Sequence, residues 1–146
     1  MSTLKIMKVR ENAIIPKRAT EGSAGIDLCA CIDEPITIAA GEIVKIPTGI
    51  ASSIPVDCVS LIFARSGLAV KEGIALANSV GVVDSDYRGE IIVGLINHSK
   101  KDYTINPGDR IAQLVVMPVC LLPVEVVDSL DSTERGDGGF GSTGKN

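Results

Sequence analysis

Apolar, β-branched runs in this chain are short, and turn formers cut them at close intervals. The runs fall at 4–9, 27–30, 36–38, 42–47, 49–53, 56–64, 80–84, 90–97, 103–105, 110–118 and 124–127. Between them stand turn signals such as Ala40-Gly41, Thr48-Gly49 and Asn106-Pro107-Gly108-Asp109. One short helix is expected at 66–72, ended by Gly73, and no long amphipathic helix or internal repeat appears. Such spacing leaves antiparallel β structure as the main way to bury a core. The composition agrees. Hydrophobic residues make up 45% of the chain but aromatics only 3%, with no Trp, so Ile, Val, Leu and Ala must fill the interior. The 146 residues fit one domain with a full core.

From Ser129 onward the chain turns to Ser, Asp, Thr and Gly with a lone Phe140. The expected division is a β domain at 1–128 and a flexible glycine-rich tail at 129–146, since such a tail cannot bury enough apolar surface to order itself. The net charge of −4 and the lack of a long basic run argue against nucleic-acid binding. The start, MSTLKIMKVR, lacks the continuous apolar segment of a secretory signal. No apolar run approaches the ~18–20 residues that span a membrane. A cytoplasmic protein is expected. Cys29, Cys31, Cys58 and Cys120 form no CxxC pair, so they read as small buried hydrophobes and not as a zinc site.

The densest chemistry lies in Gly81 to Asn97, GVVDSDYRGEIIVGLIN. Val80 to Val83 reads as a strand end, Asp84-Ser85-Asp86-Tyr87-Arg88-Gly89 as a tight loop, and Ile91 to Ile96 as a buried strand, together a β-hairpin. A carboxylate and an aromatic ring on rigid strands suit a small-molecule site, although a solvated loop tip fits this segment equally well. Arg65-Ser66-Gly67 opens the expected helix, where free backbone N–H groups and a small Ser-Gly pair admit a phosphate. By itself the same triplet also reads as a helix cap beside a surface charge. Gly136 to Thr143 nearly matches a P-loop, but Ser142 stands where the Lys should be and no strand precedes it. Arg135-Gly136-Asp137 spells an adhesion tripeptide, read as coincidence.

Five segments in order carry a resemblance. They are Ala24-Gly25-Ile26-Asp27-Leu28, Arg65-Ser66-Gly67-Leu68-Ala69, the Gly81–Asn97 segment, Gly108-Asp109-Arg110-Ile111-Ala112-Gln113-Leu114, and Arg135-Gly136-Asp137-Gly138-Gly139-Phe140-Gly141-Ser142. Together they resemble the five motifs of the trimeric dUTP pyrophosphatase (dUTPase) family, from about Ala24 to Gly144. The resemblance implies a distorted jelly-roll β sandwich or barrel and a homotrimer whose active sites are shared between subunits. It implies Mg²⁺-assisted hydrolysis of dUTP to dUMP and pyrophosphate, which keeps uracil out of DNA and supplies dUMP for thymidylate synthesis.

The resemblance also assigns roles. Arg65, Ser66 and Gly67 contact the triphosphate. Asn78 and Gly81 belong to the uracil pocket, and Tyr87 packs on the deoxyribose and leaves no room for a 2′-hydroxyl. Asp84 is the general base for water attack on the α-phosphorus. Asp27 faces the Mg²⁺ through water, and Gln113 contacts the phosphates or the attacking water. In the tail, Phe140 stacks on uracil, Arg135 and Ser142 meet the phosphates, and Gly141 belongs to the same substrate-binding segment, whose glycines let it wrap. The residues alone leave the base role open between Asp84 and Asp86. Tyr103 reads as a core-edge ring and His98 as a surface residue.

Two other functions compete. A dCTP deaminase of the same fold needs a Glu beside C4 of the base, whereas this loop reads DSDYRGE with Glu90 beyond the turn. A nucleotide-sensing or protein-binding module without turnover would not need every catalytic position filled.

Overall fold

The computed structural model of the chain describes residues 3–139. Eleven short strands run in the order β1 (Lys5–Lys8), β2 (Ile26–Cys29), β3 (Ile36–Ile38), β4 (Ile43–Pro47), β5 (Ile50–Ser53), β6 (Cys58–Phe63), β7 (Ile74–Leu76), β8 (Gly81–Val83), β9 (Ile92–Asn97), β10 (Tyr103–Ile105) and β11 (Arg110–Pro118). They form four antiparallel sheets, ordered β2-β11-β6-β8, β4-β9-β7, β1-β5 and β10-β3. Most expected strands appear within a residue or two of their sequence limits. The helical residues run from 66 to 72, and Leu68–Glu72 takes wide π-type turns. Gly73 ends the helix in the left-handed region at φ 73°, where L side chains are strained and a β-carbon would stand 2.9 Å from the Ser99 backbone nitrogen. No helix among the described residues is long and apolar enough to cross a membrane.

The core is aliphatic, as the composition requires. Leu28, Ile38, Ile46, Ile50, Ile74, Leu95, Ile105, Ile111 and Leu114 are fully buried; no aromatic ring is fully buried among the described residues, and Tyr103 packs partly buried against the cluster. Each such side chain contributes roughly 1.5–3 kcal/mol on leaving water. Alternation on the strands puts these residues inward and leaves intervening side chains for the surface and the site.

β11 departs from that alternation at one place. Its register to β2 shifts between Arg110 and Ala112, so Ile111 is an extra residue in the ladder. Ile111 and Ala112 are consequently both buried although adjacent. The same bulge turns Arg110 and Gln113, three positions apart, to one side of the sheet. In a regular strand they would face opposite sides.

Four expectations need correction. The segment 124–127 forms no strand: Val124 and Val126 are 94% and 95% exposed. Its alternation supplies strand propensity, but no edge of its own chain takes it up. β7 was not foreseen, because three small apolar residues after a helix carry no period. The hairpin around Asp84 is instead a crossing between sheets: β8 pairs with β6, and β9 pairs with β4 and β7. The loop from Val83 to Ile92 is longer than the about two to five residues of a tight hairpin, so it reaches from one sheet to another. Of the cysteines only Cys31 is buried; Cys29 and Cys58 are half-buried and Cys120 is exposed, on the segment after β11.

Gly49 ties the N-terminal segment to this framework. Its carbonyl accepts from the Val9 N–H at 2.8 Å, and its own N–H donates to Glu90 Oε1 at 2.9 Å. It sits at φ 70°, and a β-carbon there would stand 2.6 Å from both Ala13 Cβ and Cys31 Sγ. Left-handed strain and overpacking should make Gly49→Ala lose about 2 kcal/mol or more. Urea unfolding should show a lower midpoint at an unchanged slope; a loss under about 0.5 kcal/mol would contradict this packing.

Candidate active site

Two clefts hold most of the residues singled out by sequence. The first, a pocket of about 260 Å³, is lined by Asn78, Gly81, Asp84, Tyr87 and Glu90 together with main chain and aliphatic side chains of β8 and β9. None of its lining residues is a cation. β8 lies close on β6 because Gly81 has no side chain: a β-carbon there would meet Ile62 Cβ at 3.0 Å. The turn before β8 holds Ser79 at φ 65°, the one positive φ outside glycine among the described residues. Such strain persists where surrounding structure enforces it, and here it turns the chain from β7 toward β8 with Asn78 at the pocket edge.

The loop after β8 is closed by its own bonds. The Tyr87 N–H donates to the Asp84 carbonyl at 3.2 Å. Arg88 Nη1 donates to the carbonyls of Ser85 and Tyr87 at 2.7 and 2.9 Å. Asp84 lines the pocket, whereas Asp86 on the same loop does not. Burial and the carboxylate of Asp27 push the Cys29 thiol up, away from thiolate chemistry.

The second cleft is lined by Gly25, Asp27, Arg65, Ser66, Gly67, Arg110 and Gln113, with residues of the loop before β2. Its centre is an ion triad. Arg65 Nε donates to Asp27 Oδ1 at 2.8 Å, and Arg110 Nη1 donates to Asp27 Oδ2 at 3.1 Å. Asp27 is thus the shared partner of two guanidiniums, which leaves the cleft a net positive charge. Gln113 Nε2 donates to the Ala64 carbonyl at 2.9 Å, while its Oε1 rests against Gly25, where a β-carbon would stand 2.5 Å away. The carboxamide is therefore fixed in place by main chain on both sides. The two clefts share no lining residue.

A family model for dUTPase matches residues 11–144. The chain belongs to the dUTPase family. It is 53% identical over 144 residues to the deoxyuridine 5'-triphosphate nucleotidohydrolase of Desulfitobacterium hafniense, covering 97% of this chain and 95% of that one. The dUTPase of Staphylococcus bacteriophage 80alpha, solved with dUpNHpp, superposes with a TM-score of 0.88 at 28% identity, covering 98% and 99% of the two chains. A mutant dUTPase from phage phi11 of S. aureus, described with a structural Mg(II) ion, superposes at 0.80 with 27% identity, covering 89% of this chain and 99% of that one.

Nine of the candidate residues divide between the clefts. Asn78, Gly81, Asp84 and Tyr87 come together in the first, and Asp27, Arg65, Ser66, Gly67 and Gln113 in the second. Arg135 lies exposed on the tail, its Nε donating to the Gly138 carbonyl at 3.0 Å, and lines neither. Phe140, Gly141 and Ser142 lie outside the described residues. Sequence reasoning passed over Arg110, although the residue stands inside a quoted motif; only the bulge reveals that it faces Asp27. It also missed a clamp of distant residues. Arg10 Nε and Nη2 donate to the two Glu90 carboxylate oxygens at 2.7 and 3.0 Å, across eighty positions of sequence.

That clamp has a pH signature. The bond from Arg10, then the Gly49 N–H, hold the Glu90 carboxyl below the usual range despite partial burial. A depressed carboxylate stabilises the fold above its unfolded pKa of about 4.3, and the contribution is lost as pH falls through the lower native value. Glu90→Gln should therefore unfold about 1–2 kcal/mol more easily at pH 7. Chemical denaturation as a function of pH should show that gap flat above about pH 5 and closing in acid. A gap independent of pH would remove the charge from this account.

Proposed function

We propose that the protein hydrolyses dUTP to dUMP and pyrophosphate at sites completed only when copies of the chain assemble. The observation that carries this is the division of the motifs. The first cleft has polar main chain and no cation; the second has cations and no aromatic face. A nucleoside triphosphate needs both. A homotrimer, with each site drawn from more than one subunit, joins the nucleoside cleft of one copy to the phosphate cleft of another. The segment after β11 supports assembly: Leu121, Leu122, Val124 and Val126 are between 71% and 95% exposed, a run of apolar surface that a monomer would leave in water. A cytoplasmic setting is part of the same reading.

In the first cleft uracil meets main-chain groups of rigid strands and the Asn78 amide. Uracil offers an N3–H donor between two acceptors, whereas cytosine presents N3 as an acceptor and an amino donor at C4. A mismatched base leaves buried groups unpaired at about 1–3 kcal/mol each. Asp84 orients and deprotonates the water that attacks the α-phosphorus, a role worth roughly 10²–10⁴-fold. Its place in the pocket lining favours it over Asp86. Arg65, Ser66 and Gly67 receive the triphosphate, and Gln113 meets the phosphates or the attacking water. The tail residues Arg135, Phe140, Gly141 and Ser142, within the segment 129–146, close over the bound nucleotide and exclude water.

The donor set fits a Mg²⁺ that arrives on the triphosphate. No three metal-ligating side chains cluster among the described residues. Asp27 is already paired with two guanidiniums, which suits contact through the water shell that Mg²⁺ retains. When bound, the ion neutralises charge on the phosphates.

Asp84→Asn should keep the shape of the site and lose the proton acceptor. Turnover of dUTP should fall by about 10²-fold or more while a non-hydrolysable dUTP analogue binds nearly as well as before. Normal turnover in Asp84→Asn together with loss in Asp86→Asn would transfer the base role to Asp86.

Deleting residues 135–146 should leave melting almost unchanged and remove most activity. Such chains, co-assembled with full-length Asp84→Asn chains, should regain activity if an intact tail reaches an intact base on another copy. Confirmed mixed assemblies that stay inactive would confine each tail to its own subunit.

A further inference from the structure

Tyr87 is held from two sides. Its ring lies over the main chain of Gly89 so closely that a β-carbon there would overlap the hydroxyl oxygen and stand 2.6 Å from Cζ and 3.1 Å from Cε2. The backbone does not demand glycine at this position, since Gly89 is not among the residues at positive φ. What a β-carbon there would meet, and have to displace, is the ring. The Tyr87 hydroxyl donates to the Glu90 carbonyl at 3.1 Å. The Glu90 carboxylate is in turn fixed by Arg10 and by the Gly49 N–H. The ring remains 46% exposed, so one part is seated and the rest is presented to the cleft that Asn78 and Asp84 also line.

We propose that Gly89 is a specificity-determining position: by carrying no side chain it seats the Tyr87 ring, and the Arg10–Glu90 pair holds the carbonyl that anchors the ring's hydroxyl. The ring then stands at one fixed distance from the sugar and excludes a 2′-hydroxyl. This rests on the reading of Tyr87 as the sugar-contacting residue. A methyl group at position 89 lifts the ring, breaks its bond to the Glu90 carbonyl and opens the space that rejects a ribonucleotide. Gly89 and Arg10 act through Tyr87 and are positioning residues.

The test is the ratio of kcat/KM for dUTP to that for UTP in Gly89→Ala, Tyr87→Ala and the double variant. Gly89→Ala should lower the ratio by about tenfold. In the Tyr87→Ala background the same change should add nothing, because two residues acting through one ring are not additive. A second readout needs no substrate. The chain has two tyrosines and no Trp, so in a Tyr103→Phe background all tyrosine emission comes from Tyr87. Its anisotropy should fall in Gly89→Ala.

If Tyr87→Ala lowers the ratio and Gly89→Ala does not, the seat is wrong while the sugar reading stands. If Tyr87→Ala itself leaves the ratio unchanged, the sugar reading falls and the seat with it. An equal drop from Gly89→Ala with and without the ring also overturns the proposal. Should Gly89→Ala fail to fold, Arg10→Met decides: a several-fold fall in the ratio supports the clamp, and an unchanged ratio overturns it.

Discussion

The extra residue in β11 is the constraint from which the cationic cleft follows. β11 is the longest strand, and it pairs with β2 on one side and β6 on the other. Inserting Ile111 into its ladder with β2 lets two adjacent residues enter the core. It also brings Arg110 and Gln113 to the same side as Asp27. Arg65, just past β6, then completes the triad on the same carboxylate. Three sequence-distant segments are thereby fixed to one another by a sheet and an ion network. A half-buried triad of this kind is weak evidence for stability, since desolvation offsets much of its attraction. Its consequence is local charge: two guanidiniums against one carboxylate leave a site for anions.

The first cleft, proposed to receive the nucleoside, is built differently. Rigid strands β8 and β9, from separate sheets, supply its walls, and the crossing loop between them supplies Asp84 and Tyr87. Glycines open the space: Gly81 lets β8 approach β6, and Gly89 leaves room for the ring. On the proposed reading, hydrolysis requires this cleft and the cationic one to meet across an interface. One chain then carries incomplete chemistry, and the exposed apolar run after β11 becomes the surface that brings copies together.

Much of this was legible in the sequence. Short β-branched runs between turn formers gave the strand positions, because period and turn chemistry are local properties. The helix at 66–72 was legible for the same reason: Gly73 marks its end. Pairing partners were not. The hairpin expected around Asp84 failed because both flanking strands are apolar enough to be claimed by other sheets. β7 was invisible because three residues cannot show a period. The strand expected at 124–127 lacked a partner edge, a fact outside the segment itself. Of the candidate residues read from the sequence, Asn78, Gly81, Asp84 and Tyr87 line one cleft and Asp27, Arg65, Ser66, Gly67 and Gln113 the other, while Arg110, Arg10 and Gly89 were passed over, although Arg110 and Gly89 stand inside quoted motifs. Their significance depends on a bulge, an ion pair across eighty residues and a ring above a main chain, none of which leaves a periodic trace.

The most direct measurement is pyrophosphate release from dUTP, dCTP, dTTP and UTP at equal concentration, each with and without Mg²⁺. Rapid release from dUTP alone, falling sharply when Mg²⁺ is removed, is the predicted result. Comparable release from dTTP or UTP, or loss of ammonia from dCTP in place of pyrophosphate release, would contradict the account of how the two clefts read a deoxyuridine triphosphate.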